Sequence, residues 1–88
     1  MEESMQPYVQ HDTERQQFYT MLSNERAHLD YEPVDASTLE LKRTFVPEGE
    51  RGRGVGSALV TRALEYARGN GFSVQPSCPF VRHVLENE

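Results

Sequence analysis

Tryptophan is missing from this sequence, and cysteine occurs once, at Cys78. A single thiol excludes an internal disulfide framework, and the three histidines do not combine with it into a Cys/His zinc set. No metal site is expected. A chain without disulfides suits a reducing compartment. Long apolar runs are also lacking: none approaches the roughly 18 residues of a membrane span. The opening stretch MEESMQPYVQHDTERQQ is acidic and polar, with neither the cationic start nor the apolar stretch of a signal peptide. These absences predict a soluble, cytoplasmic protein.

Positive charge is scarce as well. Nine Lys and Arg stand against fourteen Asp and Glu, for a net charge of −5. Neutralising phosphates along a nucleic acid needs a broad basic surface, so the balance excludes nucleic acid as a partner. It also excludes an anionic membrane surface. Eighty-eight residues make one domain. A chain of this length buries only roughly 60–65% of its unfolded surface. The apolar share of 36% is enough for one small layered core.

What is present is strongly patterned. Residues 1–15 read as a loosely held polar lead-in, and residues 16–88 as the domain. QFYTML (17–22) is rich in aromatic and apolar residues, and SNE reads as a turn. RAHLDYEPV alternates Ala27, Leu29 and Tyr31 against Arg26, His28, Asp30 and Glu32, a strand with one wet face. TLELKRTFV alternates Leu39, Leu41 and Phe45 against Glu40, Lys42 and Thr44. Short links between these pieces favour an antiparallel meander. Pro47 ends the third piece because it cannot donate to a ladder.

From Val55 the period changes. Val55, Leu59, Ala63 and Ala67, joined by Val60 and Leu64, make the apolar stripe of a helix of about four turns. GNG at 69–71 supplies its stop. FSVQP reads as a fourth strand, and CPFVRHVLENE as a short helix with Pro79 in its first turn. The order is β-β-β-loop-α-β-α. The helical crossover sets the fourth strand parallel to the third. The fold class is therefore compact α/β (α+β).

The helix begins in ERGRGVG, residues 50–56. A helix start carries N–H groups without intrahelical partners and a partial positive charge. Glycines admit a ligand close to that backbone. Arg51 and Arg53 add planar donors suited to phosphate oxygens. The combination points to an anion site, and phosphate is the usual anion. No Lys completes a P-loop, and Ser57 stands where the dinucleotide fingerprint needs its last glycine. The bland alternative is a flexible turn.

Arg51-x-x-Gly54-x-Gly56 resembles the Q/R-x-x-G-x-G/A motif of the GCN5-related N-acetyltransferases. The resemblance extends from about Gln16 to the end. It is to the small single-domain branch, the YjdJ-like or NATD1-like proteins, which carry A-x-L-x-Y, T-x-V-P, R-G-x-G and P-x-C-P-F/Y in that order. Here these are Ala27, Leu29 and Tyr31; Thr44, Val46 and Pro47; Arg51, Gly52 and Gly54; and Pro76, Cys78, Pro79 and Phe80. The resemblance implies acetyl-coenzyme A as the cofactor. Its pyrophosphate would sit on Arg51, Gly52, Arg53, Gly54, Val55, Gly56 and Ser57. Its pantetheine arm would pair like an added strand with Phe45 and Val46, where the third and fourth strands splay. The expected activity is acetyl transfer to an unidentified amine, in a monomer or weak homodimer. The alternative is a non-catalytic acyl-coenzyme A-binding module or sensor.

Cys78 follows the fourth strand and falls on the same sheet edge as the glycine loop. A thiolate attacks thioesters well, and a following helix start lowers a thiol's pKa. It is the candidate catalytic residue, against the plain alternative of a small buried apolar side chain. Larger relatives use a tyrosine beyond the fourth strand as general acid, and no tyrosine follows Tyr66 here. The small branch commonly has His where Arg43 stands, and a guanidinium cannot serve as a base. His11 is expected in the polar lead-in, His28 on the wet strand face and His83 on the surface. Glu48 and Glu50 read as solvated turn carboxylates.

Overall fold

The computed structural model describes residues 8–22 and 25–87. The turn expected at SNE and the first seven residues lie largely outside that set. Five strands form one sheet in sequence order: β1 (Gln10–Asp12), β2 (Gln17–Met21), β3 (Arg26–Asp35), β4 (Thr38–Phe45) and β5 (Ser73–Pro76). The first four run antiparallel, and β5 lies parallel to β4. Helix α1 (Val55–Gly69) makes the crossover, and α2 (Pro79–Glu86) follows β5. The order is the one read from the sequence, with one strand added. That strand, β1, sits inside the stretch taken for a polar lead-in. Three polar residues carry no period-2 signal, and β1 is held by its antiparallel pairing with β2.

One sheet face is apolar. Phe18, Ala27, Leu29, Tyr31, Leu39 and Leu41 pack there in one cluster with Leu59, Val60, Ala63, Leu64 and Ala67 of α1. Fully burying side chains such as Leu29, Leu41 and Leu59 stabilises the fold by about 1.5–3 kcal/mol each before entropy is counted. Val81 of α2 and Cys78 join the same cluster. Asn70 closes α1 by donating from Nδ2 to Tyr66 O at 2.8 Å, and Gly71 takes a left-handed φ of 76°. Pro79 occupies the start of α2, where its missing N–H costs nothing. No helix among the described residues is long and apolar enough to cross a membrane.

The β3–β4 register contains an irregularity that the alternation pattern cannot show. Tyr31 faces Leu41, but its neighbour Asp30 faces Arg43, so Lys42 is an extra residue on β4. Such a bulge inverts the side-chain phase beyond it. Leu39 and Leu41 point to the core as expected. Past Lys42, Thr44 pairs with the core residue Leu29, and Phe45 pairs with His28 on the opposite face. The expected grouping of Phe45 with the leucines is thus corrected.

Candidate functional site

The β4–β5 ladder runs from Thr38↔Ser73 to Leu41↔Pro76 and stops, while β4 continues to Phe45 paired only with β3. Pro76 lacks an N–H to extend the ladder. The Ser77 and Cys78 amides both turn back to Leu41 O at 3.2 Å, and the chain departs into α2. A wedge opens between the end of β4 and the start of α2.

Opposite the wedge lies the glycine loop. Glu50 N donates to Pro47 O at 2.9 Å, closing a short 3-10 turn over Glu48–Glu50. Gly52 and Gly54 then adopt φ of 82° and 84°. A Cβ at either position would meet nothing within 4 Å, so the backbone conformation, not lack of space, is what selects glycine. Gly54 caps α1, and the first helical hydrogen bond is Ala58 N to Gly54 O at 3.0 Å. The N–H groups of Val55, Gly56 and Ser57 precede it and have no acceptor one turn back.

Between wedge and loop is a cavity of about 520 Å³. Thr44, Phe45 and Val46 form one wall, and Glu50, Arg51, Gly52 and Gly54–Ser57 form another. Phe80 of α2 closes the side. Its ring carbons lie 2.8 Å from where a Gly56 Cβ would stand, so glycine at 56 is what lets α2 approach α1. Arg51 Nε donates to Val46 O at 3.0 Å, linking the loop to the strand end.

Eight of the nine residues expected to bind cofactor line this cavity together. Arg53 does not. It lines a neighbouring cavity of about 600 Å³, with Thr20 and Met21 of β2 and with Glu50 and Val55, which border both. Thr44, Glu50 and Phe80 join the lining without having been singled out as binding residues. The T-x-V-P and P-x-C-P-F/Y patterns contained two of them. Those patterns did not indicate that a bulge and a helix start would turn them toward one space.

Cys78 lies behind the cavity wall. Its residue is 7% exposed, and its Sγ is 3.7 Å from Thr44 Oγ1. Burial pushes the thiol up. The N–H groups starting α2, Val81's foremost, and the Thr44 hydroxyl favour the thiolate and together outweigh burial, so Cys78 ionises below its ordinary range. Among the described residues no three metal-ligating side chains converge.

Of the histidines, His11 departs from its expected place. His11 stacks on Phe18 with centroids 4.1 Å apart, meets Tyr66 edge-on at 4.6 Å, and hydrogen-bonds the Tyr31 hydroxyl. His28 lies on the polar face as expected, but is half-buried and paired with Asp30. His83 is exposed in the last turn of α2.

A family model described as GCN5-related N-acetyl-transferase matches residues 17–88. The sequence is 33% identical to protein NATD1 of Xenopus tropicalis over 90 aligned residues, which cover 99% of this chain and 83% of that protein. Identity to protein NATD1 of Homo sapiens is 34% over 82 residues, 90% of this chain and 73% of the relative. Protein NATD1 of Mus musculus is also 34% identical, over 90% of this chain and 74% of its own length. With its parted strands beside a glycine-rich helix start, and with a match spanning most of its length, the chain belongs to the GCN5-related N-acetyltransferase family.

Proposed function

We propose that the chain binds acetyl-coenzyme A in the 520 Å³ cavity and transfers its acetyl group to a primary amine. The observation that carries this reading is the meeting, in one space, of an uncompleted strand edge and an uncompleted helix start. A diphosphate fits the second: three successive N–H groups lacking helical acceptors, two left-handed glycines without Cβ atoms, and the Arg51 guanidinium beside them. An extended amide-bearing arm fits the first, along Phe45 and Val46. Ser57 adds a hydroxyl at the loop's end. Arg53, lining the next cavity, contributes charge at longer range.

Bound there, acetyl-coenzyme A would bring an activated thioester. The protein's part is to hold it, to order the strand edge and to admit a neutral amine. Cys78 supports the reacting end through Thr44, with which it is in contact. Its near-complete burial favours this supporting role over a covalent acetyl-cysteine.

Calorimetry with coenzyme A tests the site. Arg51→Ala is expected to weaken binding about tenfold, the worth of one charge-assisted hydrogen bond at roughly 1.5 kcal/mol. Gly54→Val forces a β-branched residue to a φ of 84° and is expected to abolish measurable binding. Unchanged affinity in both variants refutes the phosphate assignment. The second reading, a module that holds the coenzyme without turnover, draws on the lack of any tyrosine after Tyr66. Tight binding with no coenzyme released in the presence of amines selects it.

A further inference from the structure

Among the described residues, a cluster of titratable side chains outside the cavity lies on the sheet face opposite the core. The Lys42 bulge turns Arg43 and Phe45 onto this face, beside Asp30 and His28 of β3. His28 Nδ1 is 3.0 Å from Asp30 Oδ1. Asp30 also accepts from Gln17 Nε2 at 2.9 Å and from Arg43 Nε at 3.4 Å. Burial pushes the Asp30 carboxyl up, but Gln17, His28 and Arg43 outweigh it and hold it below the usual carboxylate range. An ionised carboxylate only accepts, so the hydrogen shared with His28 sits on Nδ1. In the neutral ring Nε2 then carries the lone pair.

The other described groups around His28 on this face are cationic or aromatic, and Glu50 is the carboxylate on the cavity itself. Tyr19 of β2 is its register partner, covered by the Arg26 guanidinium at 3.9 Å. Phe45 of β4 packs against the imidazole with centroids 5.5 Å apart, and the same Phe45 is part of the cavity wall. Arg43 stays protonated. Cys78 sits on the core side, behind Thr44. The His28 and Asp30 side chains are 20% and 23% exposed, enough for water to reach the ring.

We propose that His28 is the proton acceptor for the incoming amine, with Asp30 as its positioning residue, and that the amine enters across this polar face. The proposal rests on the acetyl-coenzyme A reading above. In the step, the amine nitrogen forms a C–N bond to the acetyl carbonyl carbon. The C–S bond breaks and its electron pair leaves on sulfur. The surplus proton on nitrogen passes through water on the half-open face to His28 Nε2. His28 then returns it to solvent, which protonates the departing sulfur.

The test measures coenzyme release with benzylamine and with a lysine-containing peptide between pH 6.5 and 9.5. His28→Gln is expected to lose about 10²-fold in rate at neutral pH. The deficit should shrink as pH rises and the amine deprotonates unaided, while coenzyme A affinity by calorimetry stays unchanged. Free imidazole should restore part of the rate of His28→Ala. Independently of turnover, long-range nitrogen–proton spectra should show His28 protonated at Nδ1 and bare at Nε2, a signature lost in Asp30→Asn. A His28→Gln rate within twofold of wild type overturns the proposal. So does a loss without pH dependence or imidazole rescue, or an Nε2-protonated ring in the wild type. If the wild type binds coenzyme A but releases it with neither amine, His28 has no such role and the coenzyme reading stands. If coenzyme A does not bind, both fall.

Discussion

At Cys78 and Thr44 the chemistry turns on one pair of atoms. The thiol is nearly excluded from water, which alone would keep it protonated, and it ionises below its ordinary range because polar hydrogens surround it. Thr44→Val removes one of these and is expected to raise the ionisation midpoint, followed by thiolate absorbance near 240 nm. The sign carries into stability. A depressed folded value makes the thiolate a stabilising form, fully so above the unfolded thiol's value and lost as pH falls through the folded one. The wild type should therefore gain more than Thr44→Val across mildly alkaline pH in urea unfolding. An unchanged midpoint in the variant would remove Thr44 from the account. Single residues were unevenly legible. Gly52 and Gly54 stood out because left-handed backbone restricts the residue choice, and that restriction leaves a mark in composition. Thr44 and Phe80 did not, because no local preference encodes which side of a strand or helix meets a cavity formed by distant elements.

Strand β1 shows why element-scale reading needs partners. Its three residues hold no pattern, yet His11 stacks on Phe18 and bonds Tyr31, fastening the sheet's outer edge to its core. Burial first, and the Arg62 cation next, push the imidazole below its ordinary value of 6.5, with Asp12 opposing. The folded state thus favours the neutral ring. The stability this contributes is complete above pH 6.5 and declines as pH falls toward the lower folded value. Urea unfolding between pH 7 and 5 should show a steeper loss for wild type than for His11→Gln. Amide exchange in Gln10–Asp12 should accelerate over the same range. Equal slopes would mean His11 is no anchor. The long helix, β3 and β4 were legible because each repeats its period several times, and β2 because it is rich in aromatic and apolar residues. β1 and the bulge were not, since one is too short to have a period and the other interrupts one.

For the whole molecule, the core occupies one side of one sheet, and two cavities border the start of α1. A fold with so little apolar depth has a modest stability reserve. A ligand that binds only the folded form should therefore register strongly. At one hundred times its dissociation constant it adds about 2.7 kcal/mol, which for a chain of this size raises the melting temperature by roughly 10–20 °C. Coenzyme A is expected to produce this in a thermal-shift measurement, and inorganic phosphate much less. Equal shifts for the two would mean the strand edge takes no part.

Lys42 sets more than its own position. By leaving Lys42 unpaired, the bulge between Leu41 and Arg43 decides that a threonine, not an aromatic ring, reaches the thiol, and that a phenylalanine borders both imidazole and cavity. The chemistry of both sides is thereby stored in how two strands are aligned. A relative of equal length whose β4 ran straight through this point, with Lys42 in register, would exchange the two sides' inventories while keeping every amino acid, and its likeness would overstate how far its reactivity is shared.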